Sequence, residues 1–330
     1  MMRMSERTRV GVLRGGPSAE HIISLETGKA VLEALRADHE HAYDAKDIFI
    51  DKCGVWHVNE QAISPDEAKN HFDVAFNALH GAYGEDGKIQ SILEAHGIPF
   101  TGSGSVASAI GMNKILTKQA LAHENIKSPY WKEVLSESVS KDPAEAAREL
   151  FASFILPAIV KPASGGSSVG TSVIRTYGDI IPALMDAAQH GHSILVEEFI
   201  PGIEATCGVI EGFRGQELYA LPVVEIRPKN TFFDYEAKYA GKSDEIVPAT
   251  FAQKIKDEIE ALAKKVHRTL GLRHYSRTDF IIHPRRGIYM LETNTLPGLT
   301  SESLMPKSLR AVGSSLSEFI GHILRLASEE

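Results

Sequence analysis

The sequence predicts a mixed α/β protein with several domains, and three observations support this. The strand-like runs 8–13 and 73–79 each lead through a glycine-containing loop into a helical pattern, which is typical of a parallel α/β sheet. After residue 201, strand-like runs surround one long amphipathic stretch over 251–270. At 330 residues, the chain exceeds one average domain. We therefore expect an N-terminal parallel α/β domain over 1–102, a central domain over 103–200 and a C-terminal domain over 201–330.

Composition narrows the classes of function. The 35 basic and 43 acidic residues give a net charge of -8, and no run of Lys and Arg could follow a nucleic-acid backbone. The cysteines, Cys53 and Cys207, form no Cys-x-x-Cys pair, which fits a reducing cytoplasm. The N-terminus lacks the pattern of a signal peptide, and the longest apolar stretch, 151–160, is too short to span a bilayer. We expect a soluble, cytoplasmic protein that binds neither nucleic acid nor membranes.

The most informative segments are SRTDF (276–280) and YMLETNTLPGLTS (289–301), which predict a β-hairpin. Glu292 and Asn294 are two residues apart and therefore lie on one face of their strand, where Asp279 of the neighbouring strand can join them. Isolated strand acids usually face solvent, but here apolar residues flank them, and a buried carboxylate needs a partner. Three oxygen-bearing side chains on one face suit magnesium, a hard cation often shared with phosphates.

A glycine- and serine-rich loop, KPASGGSSVGTS (161–172), follows the apolar run PAIV. Backbone N–H groups of such a loop can bind phosphate oxygens, and Lys161 adds a positive charge. The alternative is a flexible linker, but a linker is not ordinarily bounded by two strand-like runs as this segment is. The chain contains no GxxxxGK[ST] sequence, so we do not expect a P-loop fold. GSGSVA (102–107) formally fits a dinucleotide-binding pattern, but we interpret it as a turn and the start of a helix.

Three further loops are less specific individually: GGPSAE (15–20), ALHGAYGEDG (78–87) and NTFFDYEAKYAG (230–241). Glu20 could bind an ammonium group and His80 a carboxylate or phosphate. Taken singly, an acid at a helix start, a histidine in a turn and an aromatic surface loop are the more ordinary interpretations.

The segments GGPSAE, LHGAYGEDG, KPASGGSSVG, VEEFIPGIEAT, YEAKY, SRTD and LETNTLPGLTSESL occur in this order between residues 10 and 327. Together they resemble the motif series of the D-alanine-D-alanine ligases, a family of the ATP-grasp superfamily. The resemblance implies a three-domain ATP-grasp architecture, with ATP held between the central and C-terminal domains.

The resemblance also implies a nucleotide site. Lys114, Lys161 and Lys238 would contact ATP phosphates, with Lys238 at the γ-phosphate. The adenine pocket would be lined by Glu197, Glu198 and Ile200, and Glu204 would reach the ribose. The magnesium ligands would be Asp279, Glu292 and Asn294. Mn²⁺ is an alternative to Mg²⁺, and the resemblance leaves room for a monovalent cation.

For the two amino acids, the resemblance implies an acyl phosphate made from the first D-alanine and then attacked by the amine of the second. Glu20 would hold the first ammonium group, with His80 near the first carboxylate. Arg277 and the backbone N–H of Gly298 would stabilise the oxyanion. The second carboxylate would bind Ser303 and the Leu304 N–H. Ser167 and Tyr239 would close the loop over the site, and a homodimer is implied.

Two alternatives remain at this stage. One is an ATP-grasp carboxylate-amine ligase with a different second substrate, against which TSESL and the intact YEAKY speak. The other is a nucleotide-binding protein without catalytic activity. Retention of Arg277, Asp279, Glu292 and Asn294 speaks against that alternative.

Overall fold

A computed structural model describes residues 7–37, 43–166, 168–228 and 243–329. Three of the residues selected from the sequence, Ser167, Lys238 and Tyr239, lie outside these ranges. The described strands form sheets of five, four and six strands, in that order along the chain. The predicted α/β class is therefore confirmed. No helix among the described residues is long and apolar enough to cross a membrane.

The first sheet holds the N-terminal part of the chain. Its strands have the order β4-β3-β2-β1-β5. They are β1 (Thr8–Gly15), β2 (Tyr43–Ile50), β3 (Trp56–Val58), β4 (Gln61–Ile63) and β5 (Val74–Asn77). The accompanying helices are α1 (His21–Arg36), α2 (Pro65–Ala68) and α3 (Lys88–Ala95).

The parallel arrangement predicted for this sheet is confirmed for three strands, because β1 pairs in parallel with both β2 and β5. Strand β2 was not predicted from the sequence. The short strands β3 and β4, which extend the sheet in antiparallel fashion, were missed as well. Each has only three residues, so too few positions alternate to give a periodic signal. The carboxyl ends of β1 and β5 lie side by side and lead into the GGPSAE and HGAYGEDG loops.

The second sheet is antiparallel, with the order β6-β9-β7-β8. Its strands are β6 (Trp131–Leu135), β7 (Ala158–Pro162), β8 (Ser172–Ile174) and β9 (Ser193–Glu198). One face packs against α6 (Ser136–Lys141), α7 (Pro143–Ser153) and α8 (Ile180–Ala188), through a core that includes Leu150, Val160 and Leu184.

The helices α4 (Ser105–Met112) and α5 (Lys114–Leu121) precede the second sheet in sequence. Helix α5 touches two sheets. Its Ile115 packs with Ala163 and Leu195 of the second sheet region, whereas its Leu121 belongs to the core beneath the third sheet. The sequence-based division at residues 102 and 200 stays a prediction.

The third sheet has the order β13-β12-β10-β14-β15, with β11 paired to β10. Its strands are β10 (Ile203–Glu211), β11 (Leu218–Ala220), β12 (Val224–Pro228), β13 (Ser243–Ile246), β14 (Tyr275–His283) and β15 (Gly287–Asn294). The helices of this region are α9 (Gln253–Thr269), α10 (Leu304–Ala311) and α11 (Leu316–Ser328).

One apolar core joins the first and third sheets. It contains Val12 and Phe76 of the first sheet, Tyr275 of β14, and Phe319 and Leu324 of α11, each at most 1% exposed. The opposite face of the third sheet packs against the amphipathic helix α9. The N-terminal sheet is thus held against the face of β14 on which Tyr275 lies.

Gly11→Ala tests the packing of the first sheet. A Cβ at Gly11 would lie 2.4 Å from Cδ1 of the buried Phe72, so the ring must shift within a filled core. We expect a loss of about 1–3 kcal/mol in the free energy of unfolding, measured with urea. Gly178→Ala is the control, because the nearest atom to its added Cβ lies 3.7 Å away. Equal stability of the two variants would contradict this packing.

Candidate active site

The β14–β15 hairpin places four polar side chains on one sheet face. Arg277 pairs with Asn294 and Asp279 with Glu292 in the strand register. Side chains two residues apart on a strand share a face, so all four lie on the face that carries Tyr275. A β-bulge directly follows Asp279, a feature often found beside active sites. The predicted hairpin is confirmed.

Asp279 is held by three neighbours. Arg277 donates from Nε to Oδ1 at 3.0 Å and from Nη2 to Oδ2 at 3.1 Å. Thr206 of β10 donates its hydroxyl to Oδ1 at 2.6 Å, and the Asn294 amide lies 3.4 Å from Oδ2. Burial disfavours the Arg277 charge, but Asp279 and Glu292 outweigh it and raise the pKa of Arg277. Arg277 therefore stays positively charged in this site.

The donor set of this face suits a hard divalent cation. Asp279, Glu292 and Asn294 offer only oxygen ligands, and magnesium commonly takes one or two carboxylates and completes its shell with water and phosphate oxygens. Within the described residues, no group of three or more His, Cys, Asp and Glu side chains could hold a metal ion. A cation here would accordingly need the Asn294 oxygen and ligands from a substrate. It would also compete with Arg277 for the Asp279 carboxylate.

Lys114 connects this face to the glycine-rich loop. Its Nζ donates to the Gly165 carbonyl at 2.7 Å and lies 3.6 Å from Oε2 of Glu292. The position of Lys114 is fixed by Asn113, which caps α5 by accepting from the Ile115 and Leu116 N–H groups. One ammonium group thus joins the second and third sheets at the predicted phosphate loop.

A buried triad, defined here as Lys118, Glu197 and Lys161, lies between α5 and the second sheet. Glu197 Oε1 is 2.6 Å from Lys118 Nζ, and Glu197 Oε2 is 2.5 Å from Lys161 Nζ. Burial alone would favour neutral Glu197, but the two lysines outweigh it and lower its pKa. Burial likewise opposes the charge of Lys161, whereas Glu197, Glu292 and Glu204 together raise its pKa. For Lys118 burial prevails, and its pKa is lowered.

The remaining residues predicted for the nucleotide site lie along the junction of β9 and β10. The Glu198 carboxylate accepts from Arg286 of the hairpin turn at 2.6 Å. Ile200 is buried, at 4% exposed. Glu204 is two residues before Thr206 on β10 and so shares the face that carries Asp279.

Two loops of the first sheet lie beside the glycine-rich loop. A Cβ at Gly81 would lie 2.4 Å from Oε2 of Glu20, and one at Gly166 would lie 3.4 Å from either carboxylate oxygen of Glu20. The Glu20 carboxylate is therefore in close contact with both glycines. His80 is buried, with Nε2 2.8 Å from the Thr27 hydroxyl and Nδ1 3.5 Å from Glu85.

The segment after β15 leads into the N-terminus of α10. Ser303 is the N-cap of α10, and Leu304 is the first helical residue, with a backbone N–H that has no partner within the helix. The Ser303 hydroxyl is 2.8 Å from that of Thr300 and would lie 2.9 Å from a Cβ at Gly298. Helix N-termini favour carboxylates and phosphates. Gly298, Ser303 and Leu304 therefore lie close together.

Two polar residues of this site were missed in the sequence, Lys118 and Thr206. Each has a signal in retrospect: Lys118 is one helical turn after Lys114, and Thr206 is two strand positions after Glu204. Both are buried, at 4% and 1% exposed. Without the fold, neither partner, Glu197 or Asp279, could be assigned to them.

The three sheets, with lysines of α5 and β7 facing the acids of the hairpin, define an ATP-grasp architecture. Residues 9–69 and 59–103 match the family model "D-ala D-ala ligase N-terminus", and residues 120–325 match "D-ala D-ala ligase C-terminus". The chain belongs to the D-alanine-D-alanine ligase family.

Individual proteins agree with this assignment. The D-alanine--D-alanine ligase of Geotalea uraniireducens is 39% identical over 322 residues, which cover 97% of this chain and 96% of that protein. Among solved structures, the VanG D-Ala:D-Ser ligase from Enterococcus faecalis matches with a TM-score of 0.84 at 27% identity, covering 98% of this chain and 100% of the other. D-alanyl-alanine synthetase A from Vibrio cholerae matches with a TM-score of 0.82 at 28% identity, covering 99% and 100%.

Glu197→Gln tests the buried triad through pH. Because the folded pKa of Glu197 is lowered, its ion pairs stabilise the fold above the unfolded pKa of about 4.3, and this stabilisation is lost as pH falls through the folded value. At pH 7 the variant removes the carboxylate that pairs with both Lys118 and Lys161, so we expect it to be less stable by about 3–5 kcal/mol.

The measurement is urea unfolding of wild type and variant from pH 7 to pH 3. The difference between the two free energies of unfolding should shrink as the pH falls below about 4.3, because unfolded wild-type Glu197 then takes up a proton that the folded ion pairs resist. A difference that is constant across this range would contradict the ion pairing.

Proposed function

We propose that this chain is an enzyme that uses ATP to join two D-alanine molecules into D-alanyl-D-alanine, with release of ADP and phosphate, for cell-wall precursor synthesis. Family membership supports the ligase activity. The observation that carries the site assignment is the position of Lys114, between the glycine-rich loop and Glu292 of the hairpin. This position supports the proposal, because a cation there could contact phosphates held by the glycine-rich loop next to a metal ion on the hairpin.

For ATP, we propose that Lys114 and Lys161 bind the phosphates, while Glu204 reaches the ribose. Glu197, Glu198 and Ile200 would border the adenine. The Glu197 carboxylate already serves two lysines, so its role there is combined with that of the buried triad. Lys238 is proposed at the γ-phosphate from the resemblance alone.

The first chemical step makes a carboxylate reactive. The carboxylate oxygen of the first D-alanine attacks the γ-phosphorus, the bond to the β-phosphate oxygen breaks, and ADP leaves. Bound Mg²⁺ would neutralise charge between the phosphates, with Asp279, Glu292 and Asn294 as its ligands. Glu20 would hold the ammonium group of this substrate, next to Gly166 of the phosphate loop. His80 would lie near its carboxylate.

The second step forms the amide. The amine of the second D-alanine attacks the acyl carbon, loses a proton, and phosphate leaves with the electrons of the broken C–O bond. Ser303 and the Leu304 N–H would orient the second carboxylate at the start of α10. Arg277 and the Gly298 N–H would stabilise the oxyanion, for which Arg277 must turn away from Asp279. Closure through Ser167 and Tyr239 would keep water from the acyl phosphate.

We also propose Mg²⁺ as the physiological ion with Mn²⁺ as a substitute, a homodimer, and a cytoplasmic location where ATP is supplied. These rest on the family resemblance. A monovalent cation is compatible with the same chemistry.

A substrate panel tests the proposal. Purified protein with ATP and Mg²⁺ should release ADP when D-alanine is added, and not with L-alanine or D-lactate alone. The product mass should be that of D-alanyl-D-alanine. Absence of D-alanine-dependent ADP release would reject the proposal and favour a nucleotide-binding protein without ligase activity.

A second candidate is a ligase that takes D-serine as the amine substrate. The structural likeness to the D-Ala:D-Ser ligase from Enterococcus faecalis favours including it. Equimolar D-alanine and D-serine should yield mainly D-alanyl-D-alanine under our proposal. A predominance of D-alanyl-D-serine would instead establish this alternative.

Thr206→Val tests the support of the metal-binding face. The change removes the hydroxyl that donates to Asp279 at 2.6 Å while keeping the side-chain shape. Residues that orient a metal ligand typically alter affinity by roughly 10–100-fold, so we expect Mn²⁺ to bind about 10-fold more weakly in the presence of ADP. Electron paramagnetic resonance measures the free Mn²⁺ directly. Thr278→Val is the matched control, because its hydroxyl is 3.4 Å from that of Thr293 and has no contact with Asp279 among the hydrogen bonds of the described residues. Unaltered Mn²⁺ affinity in Thr206→Val would contradict the assignment.

A further inference from the structure

Lys118 is the one member of the buried triad to which the proposed reaction gives no task. Its side chain is only 1% exposed, and its Nζ lies 2.6 Å from Glu197 Oε1. Lysine is almost never fully buried without a partner, because its ammonium group must leave water. A structural ion pair would need only one lysine for one carboxylate. Here Glu197 also pairs with Lys161, through its other oxygen.

The charges of the triad do not balance. Two ammonium groups share one carboxylate, so the three side chains carry one excess positive charge when both lysines are protonated. Of the two lysines, Lys161 holds its proton more strongly, because acidic neighbours raise its pKa while burial lowers that of Lys118. Lys161 is also the more accessible of the two, at 12% exposed. An anion reaching the triad would therefore meet Lys161.

We propose that Lys118 is a positioning residue for nucleotide binding: by sharing Glu197, it prevents that carboxylate from fully neutralising Lys161 and keeps the Lys161 ammonium group available to a phosphate. This inference rests on the proposed use of ATP. Lys118 acts through Glu197 and does not itself touch the nucleotide.

Helix α5 fixes the position of Lys118 relative to Lys114. It is four residues after Lys114, and residues with this spacing share a helix face. Lys114 points to the glycine-rich loop and Glu292, and Lys118 to the second sheet. The packing of α5 against Ala163 and Leu195 through Ile115 holds both lysines in place.

Lys118→Met is the decisive variant. It keeps an unbranched side chain of similar length and leaves Glu197 and Lys161 as a balanced pair, so the fold should retain its stability. Nucleotide binding should weaken, because Lys161 is then neutralised by an undivided carboxylate. We expect the Kd of ADP, measured by calorimetry without amino acids, to rise by about 10-fold, the scale for one unit charge in a partly buried site. The KM of ATP should follow, with kcat and the KM of D-alanine within about twofold of wild type.

Three comparisons separate positioning from packing. Lys29→Met removes the same charge from an exposed side chain and should leave the Kd unchanged. Lys118→Arg keeps the cation and should recover most of the affinity. In a Glu197→Gln background, Lys118→Met should change the Kd far less than in wild type, because its intermediary is gone.

Two results of these measurements would overturn the inference. A Lys118→Met protein with a lowered melting temperature but wild-type ADP affinity would show a structural role and overturn the inference. An equal loss of affinity with and without Glu197 would also overturn it. Should wild type bind ADP yet make no dipeptide, the proposed reaction fails while the affinity comparison still decides the role of Lys118.

Discussion

The arrangement of the site depends on the apolar core shared by the first and third sheets. Tyr275 of β14 is buried in that core with Phe319 of α11 and Phe76 of β5. Side chains on β14 alternate between faces, so burial of Tyr275 obliges Arg277 and Asp279 to emerge on the same side. A register shift of one residue would place all three on the opposite face. Hydrophobic packing therefore determines where the charges of the candidate site lie, although none of the residues in this core carries a charge.

The polar groups beyond this core are paired with one another. Asp279 is bound to Arg277, Glu197 to Lys118 and Lys161, and Lys114 lies near Glu292. Such pairing limits the cost of holding charges at places largely removed from water. Substrates or a metal bound at these residues would compete with the existing partners, so their binding would be coupled to rearrangement of the ion pairs. The pairing of opposite charges also explains how these side chains can be held close together without net repulsion between like charges.

The sequence predicted the α/β class, the hairpin and its shared face, because strand alternation and turn residues are local signals. The resemblance singled out Gly298, Ser303 and Leu304, which lie within seven positions of one another in the chain. The pairings of Glu197 with Lys118 and Asp279 with Thr206 were not predictable, because each joins residues more than 70 positions apart. Strands β3 and β4 were missed for a different reason, their shortness. Glu20 shows a third situation: its motif was visible, but its contact with Gly166 needed the relative placement of two sheets.

The packing of helix α5 limits which substitutions this protein family can accept at the two ends of the helix. Lys114 and Lys118 both lie on α5, which packs beside Ala163 at one end and beneath the third sheet through Leu121 at the other. A substitution in either sheet that tilts this helix would displace both ammonium groups together. Substitutions at the two packed ends of α5 are therefore coupled. A substitution that shifts one end should be compensated by a substitution at the other end of the helix.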